Sequence, residues 1–148
     1  MIDGVLITPL KKIDNPKGNI FHAMKASSDG YVGFGEAYFS TINQSEVKGW
    51  KCHLRATLNL IVIAGKIKFV ILNEVLSSQK KSKVEIFEIE LGPSSNYSRL
   101  TVNPGLWVAF QGIEFDKNIL LNISSEEHDP NEANNLDLNS FPYNWSEL

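Results

Sequence analysis

One cysteine, Cys52, stands in the whole chain of 148 residues. An intrachain disulfide is therefore impossible, and neither a Cys-rich zinc site nor a secreted disulfide scaffold is available. Long apolar runs are also missing: "LNLIVIAG" and "FVIL" fall well short of the ~20 residues needed to span a bilayer. The N-terminus has no basic stretch followed by an apolar signal segment, so the expected location is the cytoplasm, with no membrane partner. Charge of one sign is not in excess. A net charge of -3 and a pI near 5.6 give no global attraction for nucleic acid, so any phosphate binding must come from a local cluster of cations. Only three histidines occur, His22, His53 and His128, with no His-x-His or His-x-x-x-His pair, so neither a bound metal nor another cofactor is expected. There is no Gly-x-Ser-x-Gly elbow, no phosphate-cradling glycine loop and no dinucleotide fingerprint.

Apolar periodicity of 3.6 never persists for three turns; strand-like runs dominate instead. They include "GVLITPL", "NIFHAMKA", "GEAYFSTI", a long stretch from Trp50 to Leu72 broken at Ala64-Gly65-Lys66, "KVEIFEIEL", "RLTVN", "LWVAFQGI" and "NILLNIS". Between them, "DNPKG", "SSDG", "AGK", "GPSSN" and "NPG" supply the residues that turns require. Many short strands at near-regular spacing predict an antiparallel sandwich or barrel. With 43% hydrophobic residues, the length suits one domain over 1–148, in which the polar, Asn-rich segment 126–148 forms a wrapped tail.

The segment "GWKCHLRATLN" alternates: Trp50, Cys52, Leu54, Ala56 and Leu58 fall on one side, and Lys51, His53, Arg55, Thr57 and Asn59 on the other. Such a polar row either meets water or lines a site. Its continuation into "LIVIAGKIKFVIL", apolar on both faces, favours a buried setting. Cys52 faces away from the row and reads as an inert core thiol.

Six ordered segments, "DNPKGNIFH", "GEAYFSTI", "VKGWKCHLRATLNLIVIAGKIKFVIL", "VNPGLWVAF", "HDPNE" and "FPYNW", resemble the short branch of the dTDP-4-dehydrorhamnose 3,5-epimerase family over most of the chain. The resemblance implies an all-β cupin fold, a double-stranded β-helix or jelly roll, that forms a homodimer. It also implies metal-independent proton transfer beside the C4 ketone of a nucleotide-linked 4-keto-6-deoxy sugar, by an epimerase or ketoisomerase serving surface polysaccharide biosynthesis. The alternative is a non-catalytic cupin that binds a sugar nucleotide or a protein partner. Where the family has Arg-Gly-x-His, this chain has Lys48-Gly49-Trp50-Lys51, so Lys51 occupies the usual place of the base and His53 is its replacement. His128 in "HDPNE" matches the family's acid, Asp137 its companion carboxylate, and Lys17-Gly18 its diphosphate-binding turn. Leu58 stands where the family has an oxyanion-stabilising lysine. The expected site is thus His53, Lys51, His128 and Asp137 for catalysis, with Lys17, Lys48, Arg55, Asn59 and Glu36 for substrate binding.

Overall fold

The computed structural model describes residues 1–76 and 82–146. Twelve strands follow one another: β1 (Val5–Pro9), β2 (Lys12–Ile13), β3 (Ile20–Phe21), β4 (Glu36–Ile42), β5 (Val47–His53), β6 (Leu58–Ala64), β7 (Ile67–Leu76), β8 (Ser82–Leu91), β9 (Ser98–Val102), β10 (Trp107–Gly112), β11 (Asn118–Ser124) and β12 (Ala133–Asn135). They build a first sheet ordered β1-β9-β6-β11-β4 and a second ordered β12-β5-β10-β7-β8; β2 and β3 pair separately. From β4 to β7 and from β8 to β12, each consecutive strand crosses to the opposite sheet. That alternation is the expected jelly roll, and all pairings between named strands are antiparallel.

Strand periodicity explains what fills the space between the sheets. Leu58, Leu60 and Val62 of β6, Leu100 and Val102 of β9, and Phe69 and Ile71 of β7 alternate with residues on the other face and meet in one buried cluster. Each such side chain contributes roughly 1.5–3 kcal/mol on burial. A second cluster lies on the far side of the second sheet, where Trp50, Val70, Leu72 and Ala109 are covered by Phe141 from the tail. The same segment adds an unforeseen strand, β12, paired with β5. Trp50 Nε1 donates to Leu138 O at 3.2 Å, and the Trp50 and Phe141 rings meet edge-on at 5.3 Å.

Two expectations need correction. The segment "NIFHAMKA" is strand only at Ile20–Phe21. Beyond it, the His22 and Ala23 carbonyls accept from the Tyr97 hydroxyl and the Arg99 guanidinium, so side chains take the place of a strand ladder. Nor is the stretch from Trp50 to Ala64 one strand. The chain leaves the second sheet after His53 and enters the first at Leu58, so Leu54–Thr57 is a corner between sheets.

Phe141 is 7% exposed and holds the tail to Trp50. Phe141→Ala should lower unfolding stability by about 3 kcal/mol, read from the urea midpoint. A loss below about 1 kcal/mol would mean that the tail does not unfold together with the sheets.

Candidate active site

The corner at Leu54–Thr57 takes backbone N–H groups out of the sheet ladders: that of Thr57 donates to Ser125 Oγ at 2.9 Å, that of Leu54 to Glu132 O at 2.8 Å, and one carboxylate gathers those of Leu54, Arg55 and Ala56. Glu132 Oε1 accepts from the amides of Leu54, Arg55 and Ala56 at 3.1, 2.8 and 2.8 Å. Its other oxygen, Oε2, lies 2.6 Å from Nδ1 of His53. Glu132 is 3% exposed. Burial works to raise its pKa, but the amides of Ala56 and Arg55 and the His53 ring outweigh it and bring the carboxyl down to about 2. An ionised carboxylate can only accept, so Nδ1 carries the proton and Nε2 is the basic atom of the neutral ring.

His53 lines a cavity between the sheets that has two lobes, of ≈ 200 and ≈ 330 Å³, with Tyr38, Lys51, His53, Leu58, Asn122 and Asn135 common to both. The smaller lobe is bordered by Glu36, Glu126, Glu127, His128 and Asp129. The larger has apolar walls from Leu60, Val108, Phe110 and Leu120, together with Lys48 and Ser40. Charge is therefore divided: carboxylates surround one lobe, whereas the other has lysines and no carboxylate.

Two lysines reach the larger lobe because β5 is irregular. Against β10, Val108 pairs with Lys51 and Phe110 with Lys48, so two steps on β10 oppose three on β5. This bulge shifts the phase, and residues three apart share a face that strict alternation would deny them. Gly49 sits at φ 131° with its Cα beside Ala109, where an added Cβ would lie 2.6 Å from the Ala109 backbone. Lys48 Nζ donates to Thr41 O at 2.7 Å and Ser40 Oγ at 3.2 Å, which aims it across the mouth toward β4.

Of the residues expected from sequence, His53, Lys51, Lys48, Glu36 and His128 line this cavity, His128 as an exposed rim residue. Four do not come in. Lys17 is exposed in the turn joining β2 to β3, its amide bonded to Asn15 Oδ1. Arg55 lies at the corner with its side chain 54% exposed and pairs with Asp129 at 3.3 Å. Asn59 follows the corner and points to the outer face of the first sheet, bonded to Gly30 O and Thr101 Oγ1. Asp137 is exposed ahead of the short 3-10 turn Leu138–Ser140 and borders neither lobe. Glu36 has no ion pair to Lys51 or Arg55 among the described residues. Cys52 is buried on the opposite face of β5, and burial pushes its thiol pKa up.

Sequence reasoning missed Glu132, Tyr38 and Asn122. Asn122 Nδ2 donates to the Tyr38 hydroxyl at 2.7 Å, and Asn122 Oδ1 is buried with no hydrogen-bond partner among the described residues. Alternation within "GEAYFSTI" and "NILLNIS" puts Glu36, Tyr38 and Ser40 on one face and Leu120, Asn122 and Ser124 on another, a signal that was available. No group of three or more metal-ligating His, Cys, Asp or Glu side chains converges among the described residues.

Solved structures share this architecture. A dTDP sugar isomerase from Desulfovibrio desulfuricans G20 superposes with a TM-score of 0.89 at 24% identity, over 99% of this chain and 94% of the other. A mutant of the 3,4-ketoisomerase QdtA from Thermoanaerobacterium thermosaccharolyticum, with one histidine replaced by asparagine and in complex with TDP-4-keto-6-deoxyglucose, gives 0.72 at 19% identity, over 90% and 88%. The rmlC epimerase of Mycobacterium tuberculosis gives 0.76 at 12% identity, over 91% and 70%. No protein-family model and no curated protein sequence matches the chain. The chain thus has the cupin-type jelly roll of dTDP-sugar isomerases and epimerases. No helix of the described residues is long and apolar enough to cross a membrane.

Glu132 ties pH to stability. Its folded pKa lies below the ordinary carboxylate value of 4.5, so the charged form stabilises the fold above pH 4.5 and that contribution is lost as pH falls from 4.5 towards 2. Glu132→Gln, which cannot titrate, should show a smaller drop in thermal midpoint between pH 5 and pH 3 than wild type. Equal drops would show that Glu132 does not govern acid sensitivity.

Proposed function

We propose that this chain is a metal-independent isomerase that moves a proton beside the C4 ketone of a nucleotide-linked 4-keto-6-deoxy sugar. The observation that carries the reading is His53, held by a buried ionised Glu132 in one tautomer, inside a cavity with lysines on one side and a phenol on the other. The kinship in fold with dTDP-sugar isomerases and epimerases supplies the substrate class.

The lobes give the substrate a direction. A diphosphate is repelled by the carboxylates of the smaller lobe and attracted to Lys48 and Lys51, while the apolar walls of the larger lobe suit a nucleobase. The sugar then lies at His53. Nε2 takes the proton from the carbon next to the ketone, and its electron pair forms the C=C bond of an enolate whose negative charge rests on the former ketone oxygen. Lys51 neighbours His53 on the same face, roughly 7 Å along the strand, and stabilises that oxygen. Glu132 stabilises the imidazolium formed on His53. In a ketoisomerisation the enolate oxygen on C4 takes up the proton of the C3 hydroxyl, the proton held on His53 Nε2 returns to C4, and C3 becomes the ketone. In an epimerisation an acid on the opposite face, Tyr38 or His128, reprotonates the same carbon. Asn122 Oδ1, buried and unpartnered, accepts from a sugar hydroxyl.

Ketoisomerisation is the favoured branch. One base held by one carboxylate suffices for a same-face transfer, whereas His128 sits exposed at the rim. The two isomerases also match this chain over 94% and 88% of their lengths, against 70% for the epimerase. A homodimer and a cytoplasmic setting belong to the same reading. The dimer contact we assign to the outer face of the first sheet, where Phe39 and Ile63 are exposed beside Leu121, Ile119 and Ile123, an apolar surface a second copy would cover.

Incubation with a dTDP-4-keto-6-deoxyhexose in deuterated water tests the reaction. Wild type should place deuterium in the sugar, and the position of the ketone in the product separates the two branches. His53→Asn should bind dTDP normally and lose exchange by 10²–10⁴-fold. Lys48→Ala should weaken dTDP by about 1.5–3 kcal/mol and make its affinity less dependent on salt than in wild type. Absence of deuterium with intact dTDP binding would leave the non-catalytic binder as the correct reading.

A further inference from the structure

Arg99 lies on β9, on the outer face of the first sheet, and is 1% exposed. It stands between Thr8 of β1 and Ile61 of β6 in the strand register, under the irregular segment 22–31. Buried guanidinium groups are normally matched by a carboxylate. Here, among the described residues, no carboxylate forms an ion pair with it. Nη1 donates to Ala23 O at 3.2 Å, and Nη2 to Asp29 O at 2.6 Å and Thr8 Oγ1 at 3.4 Å. Nε–H is buried with no hydrogen-bond partner among the described residues. Neutral oxygens thus meet part of the donor set, and the charge itself is uncompensated at contact distance.

Beside Arg99 lies a cavity of ≈ 200 Å³. Its wall includes Lys11, His22 and Lys25, with Thr8 and Ser28 as hydroxyl groups, and no carboxylate side chain. In a protein of net charge -3, three cations and an imidazole around one depression form a local field of opposite sign. We propose that this cavity is a second binding site, separate from the one between the sheets, for a small tetrahedral oxyanion of the phosphate class.

The residue types and the volume both narrow the ligand. The unpartnered Nε–H of a fixed guanidinium is half of the fork that Arg offers to phosphate, and ammonium groups at the rim supply point charges for the outer oxygens. The cavity is smaller than the ~300–1,000 Å³ typical of sites for larger organic ligands, which favours the free ion over a whole nucleotide. Burial lowers the pKa of Arg99 and the charge of Asp29 offsets part of this, so a bound anion would relieve an existing electrostatic penalty. The same anion would fasten the segment that leads through Gly35 into β4, the strand that carries Glu36 and Tyr38 to the cavity between the sheets.

Titration with inorganic phosphate at constant ionic strength, followed by thermal unfolding and by amide resonances, tests this site. Wild type should gain thermal stability saturably, with shifts at residues 22–30 and at Arg99. Lys11→Ala/Lys25→Ala should weaken apparent affinity at least tenfold, while Lys48→Ala should leave these shifts in place. Arg99→Lys should abolish them; should that variant not fold, the double variant still decides. Movement of the same resonances by a deoxynucleoside monophosphate would assign the oxyanion to the phosphate end of a nucleotide, and movement by inorganic phosphate alone would assign it to the free ion. Equal affinity in wild type and the double variant, shifts confined to the residues around Lys48 and Lys51, or no saturable response would each overturn the proposal.

Discussion

A jelly roll must carry its chain from one sheet to the other, and at each corner backbone donors lose their ladder partners. At the Leu54–Thr57 corner, Ser125 Oγ takes the Thr57 amide and the Glu132 carbonyl takes that of Leu54, while one side-chain oxygen of Glu132, a residue far along the sequence, accepts from Leu54, Arg55 and Ala56 together. Buried amides left unpaired cost about 1–3 kcal/mol each, so the corner depends on this carboxylate being present and ionised. The three amides in turn hold the charge that the second oxygen presents to His53. Structural need and chemical use therefore meet in one group, and the ring cannot be oriented without the bend that precedes it.

Around that point the walls divide the work. The second sheet brings Lys48, Lys51 and His53 on β5, and the first sheet faces them with Tyr38 on β4 and Asn122 on β11. Asn122 braces the Tyr38 hydroxyl. The loop that carries His128 and Asp129 is tied down twice, by Arg55 at the surface and by Glu132 within. Asp129 has its pKa lowered chiefly by the amide of Asn131 and then by Arg55, an arrangement that keeps it charged without burying it. Arg55 thus acts on the rim of the site while its own side chain stays in solvent.

Both faces of the first sheet carry polar machinery, which is unusual for a sandwich whose outer layer could simply be wetted. Inside, Asn122 and Ser124 replace core apolar residues at one end of β11, so the interior turns from packed hydrophobes into a polar cavity along a single strand. Outside, Arg99 donates to the carbonyls of Ala23 and Asp29 and Asn59 to that of Gly30 in the segment that crosses them, and Thr101 donates to Asn59 Oδ1. That segment has no ladder of its own, and its position rests on these side chains.

Much of this was legible in the residues by themselves. Alternation of period two is a local property, so the all-β class, the strands, and the shared face of Lys51 and His53 follow from the sequence alone. The place of Cys52 in the core follows in the same way. What lay beyond it depends on events that interrupt the period. The corner after His53 removes Arg55 and Asn59 from the row, and the bulge at Gly49 adds Lys48 to it. Glu132 is 79 residues from its histidine, and only sheet pairing of β12 with β5 brings them together. Side-chain alternation is fixed by the covalent geometry of an extended chain, which sequence encodes directly; corners, bulges and the partners of orphaned amides are fixed by which strands lie side by side, and that is decided by the tertiary structure.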